Sequence, residues 1–445
     1  MTQIYGTNRK WLGLTALAGL LAACAATPQS TGTTPPIVVD TGGETTTPTP
    51  AAVLQPFVSS GHASMDAWRD DFAGRAVASG RDVAIVHATL ASVSPLDLYL
   101  GDSVSIAKVG VADQAEFAKP IWDYVESAVT NSRKTNGAAK MSELGAVFDA
   151  IEAEYGVNRE AVTAIWAMET NLGSYIGNFD APNTLANMAV EGRRRTFAES
   201  ELTALMKIQE RGEADRDDLI SGWAGAMGQT QFMPSTFLTF AVDFDNDGRK
   251  DLWGSQADAL ASAANYLSSS GYRFDQPWGI EVAAPDGFDW SLADGEDRRM
   301  STWTSHGLTT KDGSGFTVAL TDYAEFWLPA GATGPKYLLF KNFGVYKTYN
   351  RSDSYALAVG LLTDGVGGKT GPLESWPIEL GQLSRRDVMV LQENLNRLGF
   401  DAGPVDGIAG RGTKGALRRF QAANDLLADG YPTQVALQQV LAAVS

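Results

Sequence analysis

The stretch 158–177, NREAVTAIWAMETNLGSYIG, carries the first arrangement able to do chemistry. Val162, Ile165 and Trp166 recur at helical spacing on one face, and the next position on that face is Glu169. A carboxylate thus continues an apolar stripe where a leucine is expected. Taking a charged carboxylate out of water is costly, so burial here predicts a pKa raised toward neutrality. A general acid working near neutral pH needs that property. Periodicity alone equally admits a helix-terminal Glu169 turned to solvent. The helix that must hold it has Asn158 at the N-cap position and Asn171 and Gly173 as terminators.

A second segment, SGWAGAMGQTQFMPSTF at 221–237, has the composition of a saccharide contact. Ala224, Gly225, Ala226 and Gly228 allow close backbone approach. Gln229, Thr230 and Gln231 supply directed hydrogen bonds, and Trp223 and Phe232 supply flat apolar faces on which sugar rings stack. Such a loop also suits tight packing alone. His62, His87 and His306 show no metal-ligand spacing, and no phosphate loop or nucleophile triad is present.

MET-x-x-G, GAMGQTQFMPST, DFDNDGRKDLW, ANYL and YNRSDSYALAV follow one another at separations that resemble the membrane-bound lytic murein transglycosylase B family over most of 115–365. The resemblance implies a lysozyme-like catalytic core with Glu169 as its acid/base. It implies that Asn350, Tyr349, Tyr355, Tyr266 and Tyr124 line the cleft, and that Met227, Gln231 and Phe232 contact saccharide. The family often carries a serine just before the aromatic that opens the loop. Gly222 fills that slot here, and Ser221 stands one place earlier as its candidate substitute. Ordinary glycosidases use two carboxylates. A lone Glu169 suits substrate assistance, and the resemblance implies non-hydrolytic cleavage of the MurNAc-GlcNAc β-1,4 bond, leaving a 1,6-anhydro end. Two alternatives stay open: a lysozyme-type hydrolase, and a wall-binding lipoprotein without catalysis.

Asp243, Asp245 and Asp247 alternate ahead of Gly248 and Arg249, as in a calcium loop, but Gly254 stands where the closing Glu of an EF-hand belongs. The resemblance implies a longer loop closed by Asp258, with Arg249 giving only its carbonyl, around a structural Ca2+. An Asp-rich turn capped by its own side chains is the alternative. No cofactor is expected for catalysis.

Helical periodicity marks 64–79, 112–133, 141–154, 158–169, 198–211 and 256–269, and short β-like runs lie between about 279 and 330. The expected fold class is α+β, mainly α: a lysozyme-like domain at 59–375 with a small strand-containing lobe. A small three-helix domain follows at 376–445, after the linker GVGGKTG. Its pattern LQ-x-x-L-x-x-LG…VDG-x-x-G-x-x-T-x-x-A-x-x-x-FQ resembles the peptidoglycan-binding domain, with Thr413 and Thr433 as helix caps. At the other end, Arg9 and Lys10 precede an apolar run and Leu21-Ala-Ala-Cys24, a secretory signal that resembles a lipobox. Residues 1–23 are then a signal peptide, Cys24 the lipidated residue, and 24–58, rich in Thr and Pro, a flexible linker. Cys24 is the sole cysteine, which excludes a disulfide framework. The net charge of -17 excludes a nucleic-acid partner. Expected partners are peptidoglycan strands and, through the anchor, a membrane, with the protein a periplasmic monomer. Ala25, in place of an Asp, favours the outer membrane.

Overall fold

The computed structural model describes residues 53–100 and 119–444. Cys24 and the signal segment lie outside them. Leu54 and Phe57, at the end of the expected linker, already pack on the core, where Phe57 stacks on His87 and lies under the Arg69 guanidinium.

The helices α1 (Ala63–Ala78), α2 (Val83–Leu90) and α3 (Asp97–Leu100) open the chain. Of the periodic run expected at 112–133, residues 112–118 lie outside the described residues, and the rest is broken at Val129–Thr130, giving α4 (Ile121–Ala128) and α5 (Asn131–Glu143), with Thr130 capping the second. Next come α6 (Gly145–Tyr155) and α7 (Arg159–Thr170). A two-stranded ribbon, β1 (Phe179–Asp180) on β2 (Ile220–Ser221), brackets α8 (Ala181–Glu191) and α9 (Arg195–Glu210). Two more helices follow, α10 (Pro234–Phe240) and α11 (Gln256–Ser269).

A five-stranded antiparallel sheet then forms the expected lobe. Its strands are β3 (Gly279–Ala283), β4 (Asp297–Arg299), β5 (Thr309–Thr310), β6 (Tyr323–Trp327) and β7 (Tyr337–Leu339), in the order β4-β6-β7-β3-β5. It closes over its own core around Trp303, Phe326 and Leu338, with α12 (Met300–Ser305) beside it. The chain returns through α13 (Lys341–Tyr349) and α14 (Asp353–Val366) to pack on α7. The C-terminal module is α15 (Arg385–Arg397), α16 (Arg411–Ala423) and α17 (Gln434–Val444), around Leu391, Leu395, Leu417, Phe420 and Val440.

Helix α7 is the axis of the fold. Every residue from Ala161 to Thr170 is buried, so it is enclosed on all sides and not only along the predicted stripe. Each large apolar side chain removed from water in this way contributes about 1.5–3 kcal/mol. Two expected caps act differently. Asn158 holds the N-cap position of α7, yet its Oδ1 accepts from the Tyr272 hydroxyl, and Glu152 accepts from the Arg159 N–H instead. Helix α16 begins at Arg411 after Gly410, so Thr413 lies inside it, accepting from Gln392 Nε2. Thr433 does cap α17, by accepting from the Ala436 N–H. Among the described residues no helix is long and apolar enough to cross a membrane.

Candidate active site

Glu169 lies in the last turn of α7, 3% exposed. Asn171 then ends the helix in the left-handed conformation, with φ of 50°. Tyr355, in the first turn of α14, donates its hydroxyl to Glu169 Oε1 at 2.5 Å. Burial first, and then the Glu169 carboxylate, push the Tyr355 hydroxyl well above the tyrosine range. Tyr355 therefore keeps its proton and stays a donor. Tyr349 is pushed the same way by burial and then by Glu169, and Tyr349 and Tyr124 both lie close enough to Tyr355 to bear on its ionisation. Chain segments far apart in sequence thus converge on the carboxylate.

Next to them an aromatic wall forms. Tyr349 meets Tyr266 edge-on at 5.1 Å, and Phe232 packs against both at 6.0 and 5.8 Å. Their hydroxyls are spent on backbone: Tyr349 donates to the Thr230 carbonyl at 2.9 Å and Tyr266 to the Thr348 carbonyl at 2.7 Å. Asn350, at the C-terminal end of α13, is buried, and its Oδ1 accepts from the Ser352 N–H, which fixes the amide at the corner between α13 and α14.

The loop 221–232 is strapped to α7. Thr170 Oγ1 donates to the Gln229 carbonyl at 2.6 Å, and Trp166 Nε1 donates to Gln229 Oε1 at 3.2 Å. Met227 and Phe232 exchange backbone hydrogen bonds across the turn. These bonds fix where the residues expected to contact saccharide stand. Met227 is 0% exposed and sits in the core around α8 and α9, away from any open surface. Phe232 is also buried, with its ring beneath Tyr266 and Tyr349. Gln231 is half-buried, holds φ of 50°, and lines a small cavity with Phe232, Tyr266 and Tyr349. The Ser221 side chain is turned inward. It is fully buried in β2 and donates to the Gly222 carbonyl at 3.0 Å. A Cβ at Gly222 would stand 2.9 Å from Gln231 Oε1, so the bare position matches the placement of that amide.

A carboxylate among the lining residues escaped the sequence reading. Glu201 of α9 borders the same small cavity, and its carboxylate accepts from both the backbone N–H and the hydroxyl of Ser235 at 2.8 Å. Both its oxygens hold the start of α10 in place.

Of the expected calcium ligands, Asp243, Asp245 and Asp258 come together, with carboxylate oxygens within 4.8 Å of one another. Asp258 is fully buried and accepts from the backbone N–H groups of Phe244, Asp245 and Asp251. Asp247 stands apart from that group and accepts from the Arg249 N–H, while the Arg249 guanidinium pairs with Asp218 at 3.0 Å. Carboxylate oxygens of this kind are the donors that hard cations such as Ca2+ take.

A helical core with a buried carboxylate at a helix end, bonded to a tyrosine and flanked by aromatic rings, places the chain among proteins with a lysozyme-like core. The comparisons give the particular family. The transglycosylase SLT domain matches residues 64–364, and the peptidoglycan binding domain matches 384–440. SltB3 from Pseudomonas aeruginosa, solved in complex with NAG-anhNAM-pentapeptide, is 41% identical, with a TM-score of 0.78 over 85% of this chain and 100% of that one. Membrane-bound lytic murein transglycosylase B of Escherichia coli (strain K12) is 27% identical over 81% of this chain and 98% of its own. Escherichia coli lytic transglycosylase Slt35, solved in complex with calcium, is 25% identical, with a TM-score of 0.55 over 67% of this chain and 92% of that one. The chain belongs to the SLT transglycosylase family, and it is a lytic transglycosylase, a lyase-type enzyme that cleaves peptidoglycan.

Proposed function

We propose that Glu169 is the acid and base of this cleavage and that the product is a 1,6-anhydro-MurNAc end. Glu169 protonates the glycosidic oxygen as the MurNAc-GlcNAc bond breaks, and the ring's own N-acetyl oxygen stabilises the positive charge at C1. Glu169 then takes the proton from the C6 hydroxyl, whose oxygen closes on C1. The proton given is regained, and no water is consumed. Tyr355 holds the carboxylate in place, Asn350 orients the acetamido group, and Tyr124, Tyr266, Tyr349 and Gln231 bind sugar and exclude water. The observation that carries this reading is the hydrogen bond from the buried Tyr355 to Glu169, made beside a wall of aromatic rings. The pentapeptide-bearing disaccharides held by SltB3 support the substrate. Glu169→Gln should cut release of soluble fragments from purified sacculi by about 10²–10⁴-fold. Mass spectrometry of wild-type products should find ends one water lighter than reducing muramic acid. Reducing ends would point to a hydrolase.

The remaining assignments extend this reading. Asp243, Asp245 and Asp258 would hold a structural Ca2+, with the Arg249 carbonyl as a further ligand, and its chemistry is to tie the loop to α11. Calcium in the Slt35 complex supports that. Cys24 would carry lipid and tether a monomer to the periplasmic face of the outer membrane, a reading supported by the lipobox-like segment and by the relative named as membrane-bound. Cys24→Ala should move the protein from the membrane to the soluble fraction. The C-terminal module would bind peptidoglycan and raise the enzyme's effective concentration on it.

A further inference from the structure

The chain leaves the end of α7 by a strained path. Asn171, Leu172 and Gly173 are three consecutive left-handed residues, with φ of 50°, 62° and 76°. Leucine enters that region at a cost, because its Cβ crowds a carbonyl oxygen there. Such a conformation persists only where the surroundings hold it. Here the Leu172 N–H donates to the Trp166 carbonyl at 3.2 Å and the Gly173 N–H to Thr170 Oγ1 at 3.0 Å. The Tyr175 N–H donates to the Thr170 carbonyl at 3.1 Å, and the Ile176 carbonyl accepts from Gln231 Nε2 at 3.3 Å. A Cβ on Gly173 would stand 2.5 Å from Gln229 Oε1, so the turn lies flush against the 221–232 loop.

This braced turn carries Tyr175, which is 46% exposed. A lone exposed aromatic residue is ordinary on a protein surface. Two observations set this one apart. Its backbone is pinned on both sides, yet its ring and hydroxyl make no hydrogen bond or ring contact with any described residue. It also bridges the two halves of the site: Thr170, next to Glu169, takes its N–H, and Gln231, held by Ile176, lines a cavity with Phe232, Tyr266 and Tyr349. The aromatic wall beside Glu169 thus continues, through Gln231 and Ile176, to a rigidly mounted ring that the fold does not use. A tyrosine joins a flat apolar face to a polar tip and has few rotatable bonds to freeze when covered. A pyranose is its complement, with C–H bonds on one face and hydroxyls around the edge. We propose that Tyr175 is a further sugar platform of the cleft, stacking on a pyranose of the glycan strand beyond the wall of Phe232, Tyr266 and Tyr349. The proposal deepens, and rests on, the reading of Glu169 as the centre of that cleft.

The test is steady-state cleavage of peptide-free glycan strands by the full chain, compared with Tyr175→Ala and Tyr175→Phe. Tyr175→Ala should lower kcat/KM about three- to tenfold, the size expected for one aromatic contact. The loss should fall on KM and not on kcat, because the ring holds the sugar and takes no part in breaking the bond. Tyr175→Phe keeps the ring and should recover most of the loss. Both variants should melt as the wild type does, because an exposed side chain carries little of the fold. Calorimetric titration of the same strands into Glu169→Gln, with and without Tyr175→Ala, should show the same affinity ratio. Equal KM in wild type and Tyr175→Ala would overturn the proposal. An equal loss in Tyr175→Ala and Tyr175→Phe would overturn it too, by assigning the effect to the hydroxyl and not to the ring face. Failure of the Glu169 reading would appear instead as full cleavage by Glu169→Gln, which leaves the KM ratio between wild type and Tyr175→Ala untouched.

Discussion

Tyr355 and Glu169 stand 186 positions apart in sequence and meet at 2.5 Å, hydroxyl to carboxylate, where α14 crosses the end of α7. A hydrogen bond to a charged group contributes about 1.5–3 kcal/mol. Tyr355→Phe keeps the ring and removes the donor. It should lower kcat on soluble glycan strands by about 10–100-fold with KM little changed, because the contact positions the reacting group and does not hold the sugar. Steady-state kinetics on one defined glycan would decide, and an unaltered kcat would remove Tyr355 from the mechanism.

The buried tyrosines also set the alkaline behaviour. Burial holds Tyr337, Tyr349 and Tyr355 well above the ordinary tyrosine range, with Glu169 adding to the last two. In the unfolded chain they ionise near about pH 10. Above that pH the unfolded state releases protons that the folded state keeps, so their contribution to stability is complete below about pH 10 and is lost as pH rises. Chemical denaturation at pH 8 and pH 11 should show a fall that Tyr355→Phe makes smaller. Ultraviolet titration should find these three hydroxyls protonated until the protein unfolds.

Much of this site could be read in the chain, but not by one rule. The apolar stripe through Val162, Ile165 and Trp166 did lead to a buried Glu169. The same rule applied to α9 would mark Glu201, which follows Ala198 and precedes Leu202 and Leu205 on a buried face. That carboxylate is bound to Ser235, a contact made across 34 positions and invisible to periodicity. Helix α7 is enclosed on every side, so its stripe carried less information than it appeared to. Met227 and Ser221 show the opposite failure. Their motif lies in a loop strapped to α7, but which side chains of a tight turn face inward depends on the β1–β2 pairing and on the bonds from Thr170 and Trp166.

Gly177 tests that pairing. Its φ is +96°, and a Cβ there would stand 2.1 Å from the Ser221 carbonyl oxygen. No rotamer change relieves a clash with backbone, so Gly177→Ala must push β2 and the following loop away from the end of α7. A strained left-handed residue costs about 1–3 kcal/mol. The variant should unfold at correspondingly lower denaturant, and its kcat should fall as well, because the displaced loop is the one strapped to the helix of Glu169. A stability loss with full activity would show that the loop's place is set elsewhere.

The Asp243, Asp245 and Asp258 cluster makes a prediction about stability and not about chemistry. A ligand at about 100 times its dissociation constant stabilises the folded state by about 2.7 kcal/mol. The wild-type melting temperature should therefore rise by several degrees in millimolar calcium over chelator, and the rise should vanish in Asp258→Asn. Because Asp258 also accepts three backbone N–H groups, the asparagine variant should melt lower even in chelator. Activity at a temperature where all forms are folded should be unchanged. A calcium-independent melting curve in the wild type would leave the loop an Asp-rich turn.

The expected linker at 365–371 leads into a segment that is fastened to the sheet lobe. Glu374 pairs with Lys336 at 2.9 Å and Lys311 at 3.0 Å, and the N–H groups of Leu373 and Glu374 donate to Glu281. Lys336 is 7% exposed, so losing the carboxylate leaves a nearly buried ammonium with the Gly334 carbonyl but no counter-ion, at a cost of about 1–3 kcal/mol. Glu374→Ala should therefore lower stability by that amount and loosen the module from the lobe. Small-angle scattering should record a larger radius of gyration. Cleavage of short soluble glycans depends on the residues gathered around Glu169, none of which Glu374 bonds to, and should continue at the wild-type rate. Cleavage of intact sacculi should fall severalfold, because a module on a slack tether presents the polymer to the cleft less often. Unchanged dimensions together with unchanged sacculus cleavage would mean that the other interdomain contacts, such as Asp429 accepting from the Ala332 N–H, hold the module without Glu374.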